Sequence, residues 1–138
     1  MRQVGDRGYC QRVADSDDKG FASFLGVRYG AVEDGRARLE LDATEDHLNR
    51  AGTVQGGVLA ALADMAMGQA LRSSTEEDEV PATSQLTVTY LRPGRTGRLV
   101  ATGEVRKQGD NLSVCEADVE QDGRTLVHAL ATFAVLHR

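Results

Sequence analysis

Residues 47–71 read HLNRAGTVQGGVLAALADMAMGQAL. Paired glycines at 56 and 57 open an apolar run, and Asp64 is the one charged residue between positions 51 and 71. Alanine, leucine and methionine dominate the run, and these residues favour α-helix. Because the run is apolar on all sides instead of along one stripe, it predicts a helix that is buried on most faces. It is shorter than the roughly 20 apolar residues that cross a membrane.

The length, composition and net charge of the chain limit the classes of protein to which it can belong. Its 138 residues favour one domain, which we place at residues 1–138 with an N-terminal extension at 1–20. The net charge of -5 and the absence of tryptophan argue against binding to nucleic acid or to an anionic membrane. Cys10 and Cys115 lack the spacing of a metal or redox motif, so we expect no metal and no cofactor. The N-terminus shows no signal peptide, and we expect a cytoplasmic location.

Before the central helix, apolar residues alternate with polar ones, which is typical of half-buried β-strands. The pattern predicts two strands joined by a hairpin turn at residues 33–35. A short helix is predicted at residues 19–25, with its N-terminus capped by the aspartates and serine of residues 15–18.

After the central helix, the same alternation predicts four strands in a meander, with apolar faces at residues 86–90, 99–105, 114–119 and 127–135. Turn residues separate these strands at Pro93-Gly94, at 108–111 and at Asp122-Gly123. Strands with one apolar face must cover another element, and the central helix is the one of matching length and apolarity. We therefore predict an α+β fold in which an antiparallel sheet wraps around one long central helix.

Several residues around this helix match the pattern of a known family. The chain has Asn49, Gly52, Gln55-Gly56-Gly57, Asp64 and Gly68 at the family's spacings, and residues 89–93 (TYLRP) look like the strand after its helix. On these residues the chain resembles the hotdog-fold acyl-CoA thioesterases of the 4-hydroxybenzoyl-CoA thioesterase superfamily, in particular the PaaI-like branch of phenylacetate degradation. The resemblance covers residues 20–138. It implies a hotdog fold, an acyl-CoA substrate, and a homodimer or dimer of dimers (a homotetramer) with sites at the subunit interface.

One position departs from the family's pattern, because Gln55 stands where the family usually has histidine before the paired glycines. A glutamine amide can donate a hydrogen bond as a neutral imidazole does, but it is neither an acid nor a base near neutral pH. The substitution therefore lowers the odds of any mechanism that uses a histidine at this position.

Thioester hydrolysis needs an attacking group and a stabiliser for the oxyanion that develops on the carbonyl. The backbone N–H of Gly56, at the start of the helix, suits the oxyanion. Asp64 suits the attack, because a buried carboxylate is costly unless it is paired or used. It could activate water as a general base or attack the carbonyl directly, and the sequence leaves both routes open.

The spacing of these two groups constrains the site. Asp64 follows Gly56 by eight positions, which separates them by roughly 12 Å along one helix. A carboxylate that delivers water to a carbonyl held at Gly56 must lie much closer, within one water molecule of it. Two antiparallel helices from two subunits would bring the groups together, which agrees with the dimer that the resemblance implies.

The remaining candidates each have a structural alternative. Asn49 is a catalytic candidate by its place in the motif, or it holds its loop by an Asx-type turn. Thr83 matches a position where the family often places a hydroxyl near the acidic residue, or it is an ordinary strand residue. We assign to substrate binding a set of glycines, cations and one amide, of which the cations would meet the phosphates of coenzyme A; the set is Gly57, Gly68, Arg92, Lys107 and Asn111.

These observations favour an acyl-CoA thioesterase that acts on an aromatic or medium-length acyl group. The alternative is a non-catalytic hotdog domain that binds acyl-CoA, which Gln55 keeps open. A hotdog dehydratase is disfavoured, because the aspartate and histidine pair that it would need is absent around the helix.

Overall fold

The computed structural model describes residues 20–137, and the cap predicted at residues 15–18 lies outside them. Two α-helices and six β-strands follow one another along the described residues. They are α1 (Phe21–Leu25), β1 (Arg28–Glu33), β2 (Arg36–Ala43), α2 (Gly56–Arg72), β3 (Glu79–Tyr90), β4 (Gly97–Gln108), β5 (Leu112–Gln121) and β6 (Arg124–His137). A 3-10 turn at Glu45–His47 lies between β2 and α2. The predicted α+β class, with one antiparallel sheet around one long helix, is confirmed.

Helix α2 begins at the predicted glycine pair and ends where hydroxyl side chains replace apolar ones. The hydroxyls of Ser73, Ser74 and Thr75 each donate to a carbonyl three residues earlier, at 2.7, 3.1 and 3.2 Å. Such bonds satisfy carbonyls that the last turn of a helix leaves without partners. The guanidinium of Arg72 adds bonds to the carbonyls of Glu76 and Glu79. The connector 73–78 is thereby tied to the end of the helix.

Two of the hairpins turn on an aspartate followed by a glycine, as the sequence predicts. Asp34 and Gly35 have φ angles of 51° and 76°, and Asp122 and Gly123 have 52° and 77°. Positive φ at both central residues is the type I′ geometry, which matches the twist of the strands that it joins.

The sheet has the strand order β1-β2-β4-β5-β6-β3, with every neighbouring pair antiparallel. The predicted four-strand meander is therefore wrong for β3, which pairs with β6 at the far edge and not with β4. The connector 91–96 is a crossover instead of a hairpin turn. The amides of Leu91 and Arg92 donate to the carbonyl of Leu126, so the chain passes over the start of β6 before it joins β4. Alternation indicates the face of a strand, but it does not identify the neighbour.

The sheet and the helix meet backbone to backbone at Gly103 on β4. A Cβ at this position would lie 2.4 Å from the carbonyl carbon and oxygen of Ala66 and 2.7 Å from the amide nitrogen of Met67. These distances are far below van der Waals contact, so only glycine lets the two backbones meet here. The contact places the middle of the sheet directly on the middle of α2.

The sheet buries one side of α2 and leaves the other partly open. Residues on the sheet side are fully buried; they are Leu59, Leu62, Ala63, Ala66, Met67, Ala70 and Leu71. Ala60, Ala61, Asp64, Met65 and Gly68, on the open side, are only half-buried. We predicted that α2 would be buried on most faces. Within residues 20–137, only the side of α2 that faces the sheet is fully buried.

We expect Gly103→Ala to lower the free energy of unfolding by about 1–3 kcal/mol, the usual cost of forcing an extra carbon into a packed core. Gly57→Ala is the matched control, because a Cβ there has no atom within 4 Å and alanine is the better helix former. Urea unfolding of both variants at one protein concentration measures the difference. Equal stability of Gly103→Ala and the parent chain would contradict the close contact.

Candidate active site

A groove lies over the open side of α2, with a cavity volume of about 280 Å³. The helix forms its floor with Asp64, Met65, Gly68, Gln69 and Arg72. The two edge strands form its walls, with Tyr29 from β1 and with Val80, Pro81 and Thr83 from β3. Phe133 lies behind Gly68, where a Cβ on the glycine would meet only its ring, at 3.9 Å. The groove joins an acidic group to an apolar and aromatic lining.

Asp64 is held in this groove by a hydroxyl from the opposite wall. The Thr83 hydroxyl donates to Asp64 Oδ1 at 2.7 Å. A bond of this length to a carboxylate is typical of the stronger, charge-assisted kind. Within the described residues, Asp64 Oδ2 accepts no hydrogen bond, so this oxygen remains available to a ligand or a water molecule.

A β-bulge makes this contact possible. Thr83 pairs with the buried Phe133, whereas Gln85 pairs with Thr132 on the other face of β6. The extra residue, Ser84, is anchored to Thr132 by its hydroxyl. Leu86 and the even-numbered residues after it face the helix, so a regular strand would turn Thr83 to the other side. The bulge shifts the alternation of β3 by one residue, and Thr83 therefore faces the helix as well. Bulges commonly re-aim side chains in this way.

The start of α2 presents free backbone donors. Gln55 is the N-cap residue, and its exposed side chain makes no capping bond. The amides of Gly56 and Gly57, the first two of the helix, donate to no acceptor within residues 20–137. Free amides of the first turn carry the positive end of the helix dipole and suit an anionic oxygen.

The structure places Asn49 in its own loop. Its Oδ1 accepts from the amides of Ala51 and Thr53, at 2.9 and 3.1 Å, and its Nδ2 donates to the Thr53 hydroxyl at 2.9 Å. This is the Asx-type loop arrangement that the sequence left as an alternative. It fixes the segment that leads into the paired glycines.

The described chain does not bring all of the candidates together. The groove contains Asp64, Thr83 and Gly68, but Asn49 and the residues at the start of α2 (Gln55, Gly56 and Gly57) do not line it. The helical rise accounts for this division, since eight positions at about 1.5 Å per residue separate Gly56 from Asp64 by roughly 12 Å.

The candidate substrate-binding cations lie at opposite ends of the sheet. Arg92 follows β3 near the start of α2, and its guanidinium donates to the carbonyl of Thr125 at 2.8 Å. Lys107 and Asn111 flank the β4–β5 turn, beside the end of α2, where the Gln108 side chain donates to the Ser74 carbonyl. One chain therefore does not collect these side chains around a single ligand.

One contact at the start of α2 is absent from the predicted set. The Tyr90 hydroxyl donates to the carbonyl of Gly56 at 2.7 Å. The alternation predicts that Tyr90 shares the inward face of Leu86 and Val88, but no sequence signal indicates that its hydroxyl reaches the helix backbone.

The chain is similar in sequence to known esterases and thioesterases. The thioesterase superfamily model matches residues 51–128. The chain is similar to a candidate esterase of Halobacterium salinarum, with 40% identity over 108 residues that span 75% of this chain and 71% of the relative. It is also similar to the acyl-coenzyme A thioesterase PaaI of Escherichia coli, with 32% identity over 71% of this chain and 69% of the relative.

The fold agrees with solved structures as well. The E. coli PaaI protein, from the phenylacetic acid degradation operon, superposes with a TM-score of 0.85 and 26% identity, covering 97% of this chain and 96% of that one. The predicted hotdog fold is confirmed by this agreement. Among the described helices, none combines the length and the apolarity that crossing a bilayer requires.

Whether the thiol of Cys115 is available as a nucleophile can be tested. It is fully buried, and burial raises the pKa of its thiol to about 11. At pH 8 only about one thiol in a thousand would then be the reactive thiolate. We expect a Cys10→Ser variant, in which Cys115 is the remaining thiol, to react with a disulfide reagent only after denaturation. Rapid reaction of one equivalent under native conditions would contradict the burial.

Proposed function

The chain belongs to the thioesterase superfamily and hydrolyses acyl-CoA thioesters, and we propose that Asp64 carries the reaction at a site shared by two subunits. The observation that supports this proposal is the bond from the Thr83 hydroxyl to Asp64 in a groove of about 280 Å³. The groove holds a carboxylate whose second oxygen faces no donor of the described chain.

Asp64 can serve hydrolysis by either of two routes. As a general base, it takes a proton from water while the water oxygen attacks the carbonyl carbon. As a nucleophile, it attacks the carbonyl itself, and water then hydrolyses the mixed anhydride. In both routes the C–S bond breaks and the thiol of coenzyme A leaves. The space above Gly68, which has no side chain, leaves room for the water.

The oxyanion would be stabilised at the start of α2 from the second subunit. The free backbone amides of Gly56 and Gly57 supply donors, and the exposed side-chain amide of Gln55 beside them supplies another. One chain holds these donors roughly 12 Å from its own carboxylate, so an antiparallel partner helix is needed to complete each site. The half-buried Ala60, Ala61 and Met65 offer this partner an apolar surface.

The lining of the groove supports an aromatic or medium-length acyl group. Tyr29, Met65 and Phe133 surround the space beside Asp64 with aromatic and thioether surface. Among the relatives, PaaI comes from an operon of phenylacetic acid degradation. In the assembled protein, Arg92 of one subunit and Lys107 and Asn111 of another could meet the phosphates of coenzyme A.

A panel of aromatic and aliphatic acyl-CoA thioesters, assayed for release of the free thiol, identifies the preferred acyl group. Binding without thiol release across the panel would instead support the non-catalytic acyl-CoA-binding alternative.

We expect Asp64→Asn to reduce turnover by at least about a hundredfold, the lower range of a general-base contribution. The amide keeps the shape of the carboxylate but neither accepts a proton readily nor attacks the carbonyl. Steady-state thiol release measures turnover, and calorimetric titration with a non-hydrolysable acyl-CoA thioether measures binding, which should persist. Asp78→Asn is the matched control, because this carboxylate lies exposed in the connector 73–78. Turnover of Asp64→Asn at the parent rate would show that Asp64 is structural.

Mixed dimers test whether two subunits share each site. An Asp64→Asn chain and a Gly57→Pro chain, which lacks one donor amide, should each have little activity. Co-refolded in equal amounts, they should recover about a quarter of the parent activity, since half of the randomly assorted dimers would contain one intact site of two. Native mass spectrometry counts the mixed dimers. Their presence without recovered activity would mean that both groups act within one chain.

A further inference from the structure

We propose that Tyr90 is a positioning residue, which orients and polarises the oxyanion donor at the start of α2. Tyr90 is the last residue of β3, and its hydroxyl donates to the carbonyl of Gly56 at 2.7 Å. This carbonyl belongs to the peptide group whose N–H is that of Gly57. A trans peptide is planar, and its C=O and N–H point in opposite directions. Holding the Gly56 oxygen therefore helps the helix to set the direction of the Gly57 amide.

The bond also affects the strength of this donor. Hydrogen bonds in a chain polarise one another, so a donor on the carbonyl makes the N–H of the same peptide a better donor. The Gly57 amide has no acceptor within the described residues, and it lies in the first turn, where the helix dipole adds positive potential. Tyr90 thus acts on the amide through the peptide and needs no contact with the substrate.

The two glycines of the pair have different surroundings, which fits these separate roles. A Cβ on Gly56 would lie 3.2 Å from the Tyr90 hydroxyl and 3.3 Å from two of its ring carbons. A Cβ on Gly57 would have no neighbour within 4 Å, and Gly57 is exposed. The first glycine therefore leaves room for the tyrosine, and the second leaves room for a thioester carbonyl to approach.

A purely structural role for this bond is poorly supported by its surroundings. Tyr90 is 52% exposed, and a hydrogen bond made at the surface exchanges with water at little net gain. The bond joins the edge strand of the sheet to a first-turn peptide whose N–H, that of the exposed Gly57, has no acceptor within residues 20–137. We infer that its main effect is on the direction of this amide.

The decisive variant is Tyr90→Phe, which keeps the ring and removes the hydroxyl. We expect kcat to fall about five- to tenfold, the effect of one lost neutral hydrogen bond that acts on the transition state, with KM changed by less than about twofold. Ser74→Ala is the matched control, because it removes a hydroxyl that donates to a backbone carbonyl at the other end of the same helix. It should keep the parent kcat.

Nuclear magnetic resonance of protein labelled with ¹⁵N-glycine gives a readout that is independent of activity. The Gly57 amide, assigned by its loss in Gly57→Ala, should move to lower proton frequency in Tyr90→Phe because its peptide is less polarised. The same amide should stay in place in Ser74→Ala. An unchanged Gly57 amide in Tyr90→Phe would overturn the proposal.

Because this role presupposes the proposed reaction, Asp64→Asn is measured beside Tyr90→Phe. If Asp64→Asn turns over at the parent rate, the proposed mechanism fails, whatever Tyr90 does. If Asp64→Asn is slow and Tyr90→Phe keeps the parent kcat, the mechanism stands and the positioning role is wrong. A rise in KM alone in Tyr90→Phe would also overturn it, since it would mark Tyr90 as a substrate contact.

Discussion

The close backbone contact between Gly103 and Ala66 is the constraint on which the rest of the structure depends. It holds the centre of the sheet against the centre of α2, closer than any side chain would permit. A sheet that touches the helix at its middle can curl far enough for both edges to reach past it. Tyr29 of one edge strand and Thr83 of the other therefore line the same groove on the far side of the helix.

The bulge at Ser84 provides a second adjustment. Apolar residues of β3 must face the core to bury their surface, and a regular strand that did so would turn Thr83 outward. One extra residue allows both, because it reverses the phase of the strand between the core-forming half and the half that reaches Asp64. The local irregularity is anchored by the Ser84 hydroxyl on β6, so the position of Thr83 is set by a fixed backbone and not by side-chain freedom alone.

Local signals in the sequence predicted local structure well and long-range structure poorly. The Asp-Gly hairpins follow from positive φ angles that few residues adopt readily, and the helix start follows from the apolar run that the glycine pair opens, so both could be predicted from the sequence. The neighbour of β3 could not, because β4 and β6 present equally suitable apolar faces and the choice depends on the path of residues 91–96. The placement of Thr83 came from the family resemblance, since alternation from Leu86 would have turned it outward. Tyr90 was missed as a site residue because its partner is a backbone carbonyl, which no side-chain pattern records.

The position of the close contact on the helix matters for the proposed reaction. Ala66 is two residues from Asp64 and ten from Gly56. The backbone contact with Gly103 therefore fixes the helix near its carboxylate, and the proposed amide donors lie further away, in the first turn. An element fixed in this way holds the carboxylate firmly and leaves the first turn to be held by other contacts. Tyr90 from β3 and the Asn49 loop supply them, the first at the Gly56 carbonyl and the second just before the helix begins. In the proposed dimer each helix serves two sites, with its middle held by the contact at Gly103 and its first turn held by Tyr90 and the Asn49 loop.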